Sequence, residues 1–207
     1  MVTEEHYVLI QDDGKTEIQQ RRRESWRATD GWTWARQTGS DPGSFIFEPD
    51  TDWKVVRRAK PDAAVLEQVM RDTVTGAPSS KVVNAEFNFV SGLLGVESLP
   101  AGSLPTNYRE ALIAALAMND EIAVTQHVLD PLGRESTRIT LTDSDDPNLA
   151  QSLFLDRGHQ YLASTAAAKG TAERGSRVIT RRDHIDKIPA DLLVALGSER
   201  VTKANWK

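Results

Sequence analysis

The stretch Trp26-Arg27-Ala28-Thr29-Asp30-Gly31-Trp32-Thr33-Trp34 places three of the chain's five tryptophans within nine residues, wrapped around one tight turn. Thr29-Asp30-Gly31 suits a three-residue hairpin loop, because glycine enters the left-handed region without steric cost and aspartate bonds its local backbone. That loop pairs Ala28 with Trp32 and Trp26 with Trp34. Cross-strand partners share a face, as do residues two apart on a strand, so all three indoles line one side of the hairpin. A two-residue Asp30-Gly31 loop would shift the pairing by one and send Trp26 to the opposite face. Glycine at the third loop position favours the longer loop. So much aromatic surface needs a cover, either the chain's own helices or a ligand.

The hydrophobic period supplies candidates for that cover. Residues 6–59 read as strands at 6–11, 15–28, 32–37, 44–47 and 53–59, with a turn at Asp12-Asp13-Gly14 and another at Pro49-Asp50-Thr51-Asp52. Residues 61–118 read as three helices. Pro61-Asp62 opens the first, with Ala63, Leu66, Val69 and Met70 at helical spacing before Gly76-Ala77-Pro78. Ser80 is a suitable N-cap for the second, which carries Val83, Phe87, Val90 and Leu94 on one stripe. The third spans 105–118, with Tyr108, Leu112, Ala115 and Leu116 on one face. Strands return at 122–129, 135–142, 149–156, 159–164 and 176–185, joined by turns at Asp130-Pro131-Leu132-Gly133 and Arg157-Gly158, and a tail helix is expected at 190–196.

Strands, then helices, then strands predict an α+β fold: a curved, half-barrel-like antiparallel sheet with a central helical insertion packed on one face. No repeat or composition shift marks a linker, so residues 1–207 are expected to form one domain, with 187–207 as its tail. A chain of this length buries roughly 70% of its unfolded surface. A net charge of −5 with 27% charged residues describes an ordinary polar surface and argues against a general nucleic-acid binder. The absence of cysteine excludes disulfides, thiolate chemistry and cysteine-based zinc sites. No run of 18 apolar residues and no signal peptide occurs within the sequence, and the strand pattern that begins at His6, directly after Met1, is what a trimmed chain looks like.

Four stretches carry a resemblance: ESWRATDGWTW, LPAGSLPTNYREALIAALA, HVLDPLGRESTRITL and SLFLDRGHQYLAST. Together they resemble an uncharacterised actinobacterial family of membrane-anchored proteins, often encoded beside sigma-factor genes. Members share a Trp and an Asp-Gly in the first hairpins, a Leu-Pro before an Ala/Leu-rich helix, and an Asp-x-x-Gly-Arg turn followed by a strand pair ending in an Asp turn. Asp130 to Arg134 and Asp156-Arg157-Gly158 stand at those last places. The resemblance covers most of residues 6–165 and rests on turn chemistry and packing. It implies a cytoplasmic segment and one transmembrane helix outside this sequence, and hence an extracytoplasmic, membrane-anchored domain. The order of strands and inserted helices is more distantly similar to the lipoprotein-carrier half-barrels, whose curved sheet and helical lid can enclose an acyl chain. That likeness concerns the fold and says little about activity.

Catalytic candidates are sparse. His184, between Asp183 and Asp186, and His127, three residues before Asp130, could each form half of an acid–base or metal pair. Adjacent residues on a strand face opposite ways, so Asp183 and His184 would not converge. Solvated or structurally satisfied histidines are the simpler reading. Asp143-Ser144-Asp145-Asp146 resembles the start of a calcium loop but lacks its sixth-position glycine and meets Pro147 early. Arg21-Arg22-Arg23 with Arg27 could meet phosphate or an acidic partner, but on a strand they alternate sides with Glu17 and Glu24 close by, and a charged sheet edge that discourages aggregation is the expected reading. No nucleophile elbow, phosphate loop, dinucleotide fingerprint or metalloprotease motif is present.

The expected function is therefore non-enzymatic and needs no metal or cofactor. One reading is a ligand-binding or sensory domain in which Trp26, Trp32 and Trp34 floor an apolar groove beneath helices carrying Phe87 and Leu112, the ligand being an apolar or lipid chain. The alternative is a protein–protein interaction module with a closed core, and a hydrolase is the least favoured. The two leading readings differ in whether the space between sheet and helices is filled.

Overall fold

Strongly alternating segments punctuated by Asp-containing turns build the sheet, and single-striped segments between them build the helices. The computed structural model describes residues 2–10, 16–27, 33–39, 43–47, 51–75, 82–94, 104–142, 149–168 and 173–183, with side chains over 54–75, 82–94, 104–142 and 150–166 and at Thr38 and Val178. Four strands come first: β1 (Val2–Ile10), β2 (Thr16–Arg27), β3 (Thr33–Gly39) and β4 (Gly43–Phe47). Helices α1 (Thr51–Arg58), α2 (Ala63–Thr73), α3 (Val82–Leu94) and α4 (Thr106–Leu116) follow. The chain then returns through β5 (Ile122–Leu129), β6 (Glu135–Thr142), β7 (Leu149–Leu155), β8 (Tyr161–Ala168) and β9 (Glu173–Asp183).

All nine strands join one antiparallel sheet in the order β4-β3-β2-β1-β9-β8-β7-β6-β5. The two strand blocks meet where β1 pairs β9, and the sheet is open, with β4 and β5 as its edges. Strand β2, which carries Arg21 to Arg23, is paired on both sides by β1 and β3 and is not the sheet edge expected. This is the α+β architecture with a helical insertion that the periodicity predicts. The β2–β3 hairpin has the register of the three-residue loop: Trp26 lies opposite Trp34 and Arg27 opposite Thr33, so Trp26 and Trp34 belong to one face. Trp32, the Ser80 cap, the 143–146 acidic loop, His184 and the 190–196 helix lie outside the described residues, as do the side chains of Trp26, Trp34 and the Arg21 to Arg23 run.

One predicted strand is a helix. Residues 53–59 are expected to be a strand after the turn at Pro49-Asp50-Thr51-Asp52, yet residues 51–58 form α1. Val56 is fully buried while Val55 stands at the surface, and Ala59, three residues on, packs against the same core. That 3.6-residue stripe outweighs local β propensity. Tyr108 of α4 holds the helix end, its hydroxyl donating to the Ala59 carbonyl at 2.9 Å. In α2 the expected start is found: Asp62 Oδ1 accepts from the backbone N–H groups of Ala64 and Val65.

The helical layer packs on one face of the second strand block. Leu66, Met70, Phe87, Val90, Leu94, Leu112 and Leu116 join Ile139 and Leu141 of β6, Leu153 and Leu155 of β7, and Tyr161 of β8 in one core. Alternation puts Phe154 on the opposite face, and the register slip between Phe154 and Leu155 carries its partner Ala163 there too, where both form a smaller cluster with Val178. Phe87 and Leu112 are thus core residues between helices and sheet.

Candidate functional site: a cleft between two aspartate turns

The β5–β6 and β7–β8 loops have the same construction. In the first, Asp130 N–H donates to the Arg134 carbonyl and Gly133 N–H to the Asp130 carbonyl, each at 2.9 Å. In the second, Asp156 N–H donates to the Gln160 carbonyl and His159 N–H to the Asp156 carbonyl, again at 2.9 Å. Asp130 Oδ1 accepts from Leu132 and Arg134 N–H at 2.9 and 2.8 Å, and Asp156 Oδ1 from Gly158 and Gln160 N–H at 2.8 Å. Each loop also requires a left-handed residue at its fourth position. Gly133 fills it in one loop with φ 76°, and His159 fills it in the other with φ 56°.

A second histidine is held in the same backbone region. The β5–β6 register slips between Thr125 and Val128, so that Gln126 and His127 together oppose Thr137, a bulge on the edge strand. His127 has φ 56°. Its Nδ1 lies 2.7 Å from Glu135 Oε1, and Arg157 Nη2 donates to Glu135 Oε2 at 2.8 Å. These hydrogen bonds, that of the histidine foremost, hold the Glu135 carboxyl below the usual range. The four side chains of His127, Glu135, Arg157 and His159 line a cleft of about 220 Å³ together with Gln126, Ser136 and Thr137.

The cleft is anchored to the helices through its β7–β8 wall. Arg109 of α4 is buried and donates from Nε to the Gly158 carbonyl at 2.8 Å and from Nη2 to Thr106 Oγ1 at 2.9 Å; its Nη1 donates to the Leu104 carbonyl. Burial pulls its pKa down from the ordinary guanidinium value, against the pull of Asp156. His159 Nε2 lies 4.0 Å from Glu110, while its Nδ1 is buried without a hydrogen-bond partner among the described residues. Beside the cleft, Leu129 and Leu132 stand 68% and 51% exposed.

Of the residues singled out in the sequence, His127 is in this cleft, paired with Glu135 rather than with Asp130. Asp130 instead builds its own turn and an ion pair with Arg134. Phe87 and Leu112 lie in the core, and the indoles of Trp26, Trp32 and Trp34 fall outside the described side chains. Glu135, Arg157 and His159 escaped the sequence reading. The signal for His159 was nonetheless present: aligned on their aspartates, Asp130-Pro131-Leu132-Gly133 and Asp156-Arg157-Gly158-His159 put a histidine where the first turn has its glycine.

The sequence matches no family model and no curated protein. Among solved structures, the crystal structure of MucB in complex with MucA(peri) is similar to 93% of this chain with a TM-score of 0.45 and 11% sequence identity. The match takes in 53% of that chain, so the present chain spans about half its length. At this level of likeness no function is transferred.

Proposed function

We propose that this chain is a non-enzymatic, extracytoplasmic protein-interaction domain that presents its edge hairpin to a partner. The observation that carries the reading is the composition of that surface. Leu129 and Leu132 project from an open sheet edge directly beside a charged cleft, and Leu129 is the register partner of Glu135. Exposed apolar side chains bordered by charge characterise recognition surfaces. The bulge at Gln126 and His127 interrupts the edge ladder, which favours side-chain docking over open-ended strand addition. The non-enzymatic part is supported by the commitments within the cleft: Ser136 Oγ donates to the Val128 carbonyl at 3.0 Å, and both Glu135 oxygens are engaged. The extracytoplasmic, membrane-anchored setting is supported by the family resemblance of the turn motifs. Among the described residues no helix is long and apolar enough to cross a membrane, so an anchor would come from a segment outside them.

A photo-crosslinking amino acid at position 132 tests this in cells. A discrete adduct, absent when the probe sits at the exposed helical position 65 and lost with Leu129→Asp, is the expected result. Equal labelling from both positions contradicts it.

The opposed Trp26 and Trp34 favour a second reading, an apolar groove on the tryptophan face that takes a lipid chain. Each buried methylene contributes about 0.8 kcal/mol, enough for a chain of ordinary length to bind after ordering costs. Native mass spectrometry of freshly purified protein and fatty-acid titration of tryptophan fluorescence test it. Neither co-purified lipid nor a saturable titration would be seen if that groove is closed.

A further inference from the structure

The helical layer holds a second concavity, unrelated to the turn cleft. Glu67 and Arg71 of α2, Val82, Val83 and Glu86 of α3, and Ala115 with Met118 and Asn119 at the end of α4 line a groove of about 440 Å³. Glu86 is 6% exposed yet makes neither a hydrogen bond nor an ion pair among the described residues. Two charged groups of α2 face it. Arg71 is already paired with Glu67 in the next turn of its own helix, and the field of Glu67 opposes ionisation of Glu86. Among the described residues the groove thus carries two carboxylates and one guanidinium, and the carboxylate left without an ion pair is that of Glu86.

A solitary buried carboxylate is an expensive choice on a helix face otherwise filled by Phe87, Val90 and Leu94. Desolvation pushes the Glu86 pKa up, the reverse of what a partnered carboxylate shows. The walls are mixed: Val82, Val83, Ala115 and Met118 supply apolar surface beside Glu67, Arg71 and Asn119, and Met118 is 59% exposed and flexible enough to reshape around an incoming chain. A carboxylate bordered by apolar side chains in a polar groove matches an ammonium or guanidinium at the end of a methylene stem.

We infer that this groove receives a lysine or arginine side chain of the protein partner, with Glu86 as its counter-charge and Val83 and Met118 against its stem. The inference rests on the interaction-domain reading and adds a second contact, on the helical layer, whose chemistry is specified.

The site can be tested without the partner by using n-butylammonium and n-butylguanidinium as probes and following the Glu86 carboxyl and Met118 methyl signals by NMR. Saturable shifts at both positions are expected for the two cations at pH 8. The neutral isostere of n-butylammonium, 1-butanol, should bind roughly tenfold more weakly or not at all, the difference associated with one charge-assisted contact. The isosteric Glu86→Gln variant, with its fold checked by circular dichroism, should lose cation binding by a similar factor. Binding should also weaken as pH falls through the Glu86 titration. Unchanged cation affinity in Glu86→Gln, equal binding of the alcohol, or no saturation overturns the groove as a cation site. Such a failure would leave the edge-hairpin crosslink intact, whereas loss of that crosslink with cation binding retained removes the interaction-domain reading and with it the partner side chain as occupant, leaving only the cation site.

Discussion

His159 stands in the β7–β8 loop where Gly133 stands in the β5–β6 loop, both at positive φ and both donating N–H to the aspartate three residues earlier. Glycine adopts that conformation freely, whereas a side chain there costs roughly 1–2 kcal/mol. A Cβ built on Gly133 would meet nothing within 4 Å, so only backbone strain opposes a side chain at that position. Gly133→Ala should therefore lower stability by about 1 kcal/mol in urea unfolding. His159→Asn should be nearly neutral, because asparagine tolerates the left-handed region, and His159→Val should cost more than either. Equal effects of the Asn and Val substitutions would show that backbone strain is not what distinguishes the position.

The two aspartates should behave alike. Asp130 and Asp156 each accept two backbone N–H bonds inside their own loop, and Asp130 adds an ion pair with the half-buried Arg134. Truncation leaves those donors without partners, at about 1–3 kcal/mol. Asp130→Ala and Asp156→Ala should each lose stability in that range by thermal or chemical unfolding. Asparagine, which keeps the accepting oxygen, should recover a larger share at 156 than at 130, where the ion pair is also lost.

Arg109 joins layers that are far apart in sequence. Its fork spans the Gly158 carbonyl of the sheet and the Leu104 and Thr106 oxygens at the start of α4. Arg109→Lys keeps the charge but cannot reproduce the fork. It should cost about 2–3 kcal/mol by chemical unfolding and raise amide exchange in residues 156–160. A lysine variant as stable as the parent, with unchanged exchange, would show that charge alone holds this junction.

Much of this architecture is legible in the chain because its turn chemistry is explicit. The strands 122–129 and 135–142 are found with the bounds read from the sequence, fixed on either side by Asp130 and Gly133. The Trp26–Trp34 register follows from one glycine position. Helix α1 is less legible: Pro49 to Asp52 reads as a turn, and the adjacent Val55 and Val56 favour a strand locally, although Val56 is buried and Val55 is not. The cleft is less legible. Glu135 and Arg157 are 22 residues apart and meet only because two hairpins lie side by side, so no local spacing records their contact. Glu86 was hidden for the opposite reason: it sits beside Phe87 on an apolar helix, where a carboxylate is ordinarily assigned to the solvent side.

Glu135 offers a direct electrostatic check. Its carboxyl is held below the ordinary range first by the His127 hydrogen bond and then by Arg157. In a carboxyl NMR titration both His127→Ala and Arg157→Ala should move its pKa up toward the ordinary carboxylate range. Each single substitution should leave part of the depression in place, because the other contact remains. Identical titration in parent and variants would remove the cluster as an electrostatic unit.

Glu86 makes the opposite prediction for stability. Its pKa is raised in the folded chain, chiefly by desolvation and further by Glu67, with Arg71 pulling the other way. A group of this kind binds its proton more tightly folded than unfolded. Its favourable contribution is therefore fully present below about pH 4.3, the unfolded carboxyl value, and is lost as pH rises through the raised folded value. Above that window the folded protein must hold a desolvated negative charge that the unfolded chain exposes to water. Glu86→Gln should consequently be more stable than the parent at pH 8, and the advantage should shrink steadily toward pH 4. Parallel stability profiles from pH 4 to 8 would mean that Glu86 titrates alike in both states, and that the groove imposes no desolvation on its carboxylate.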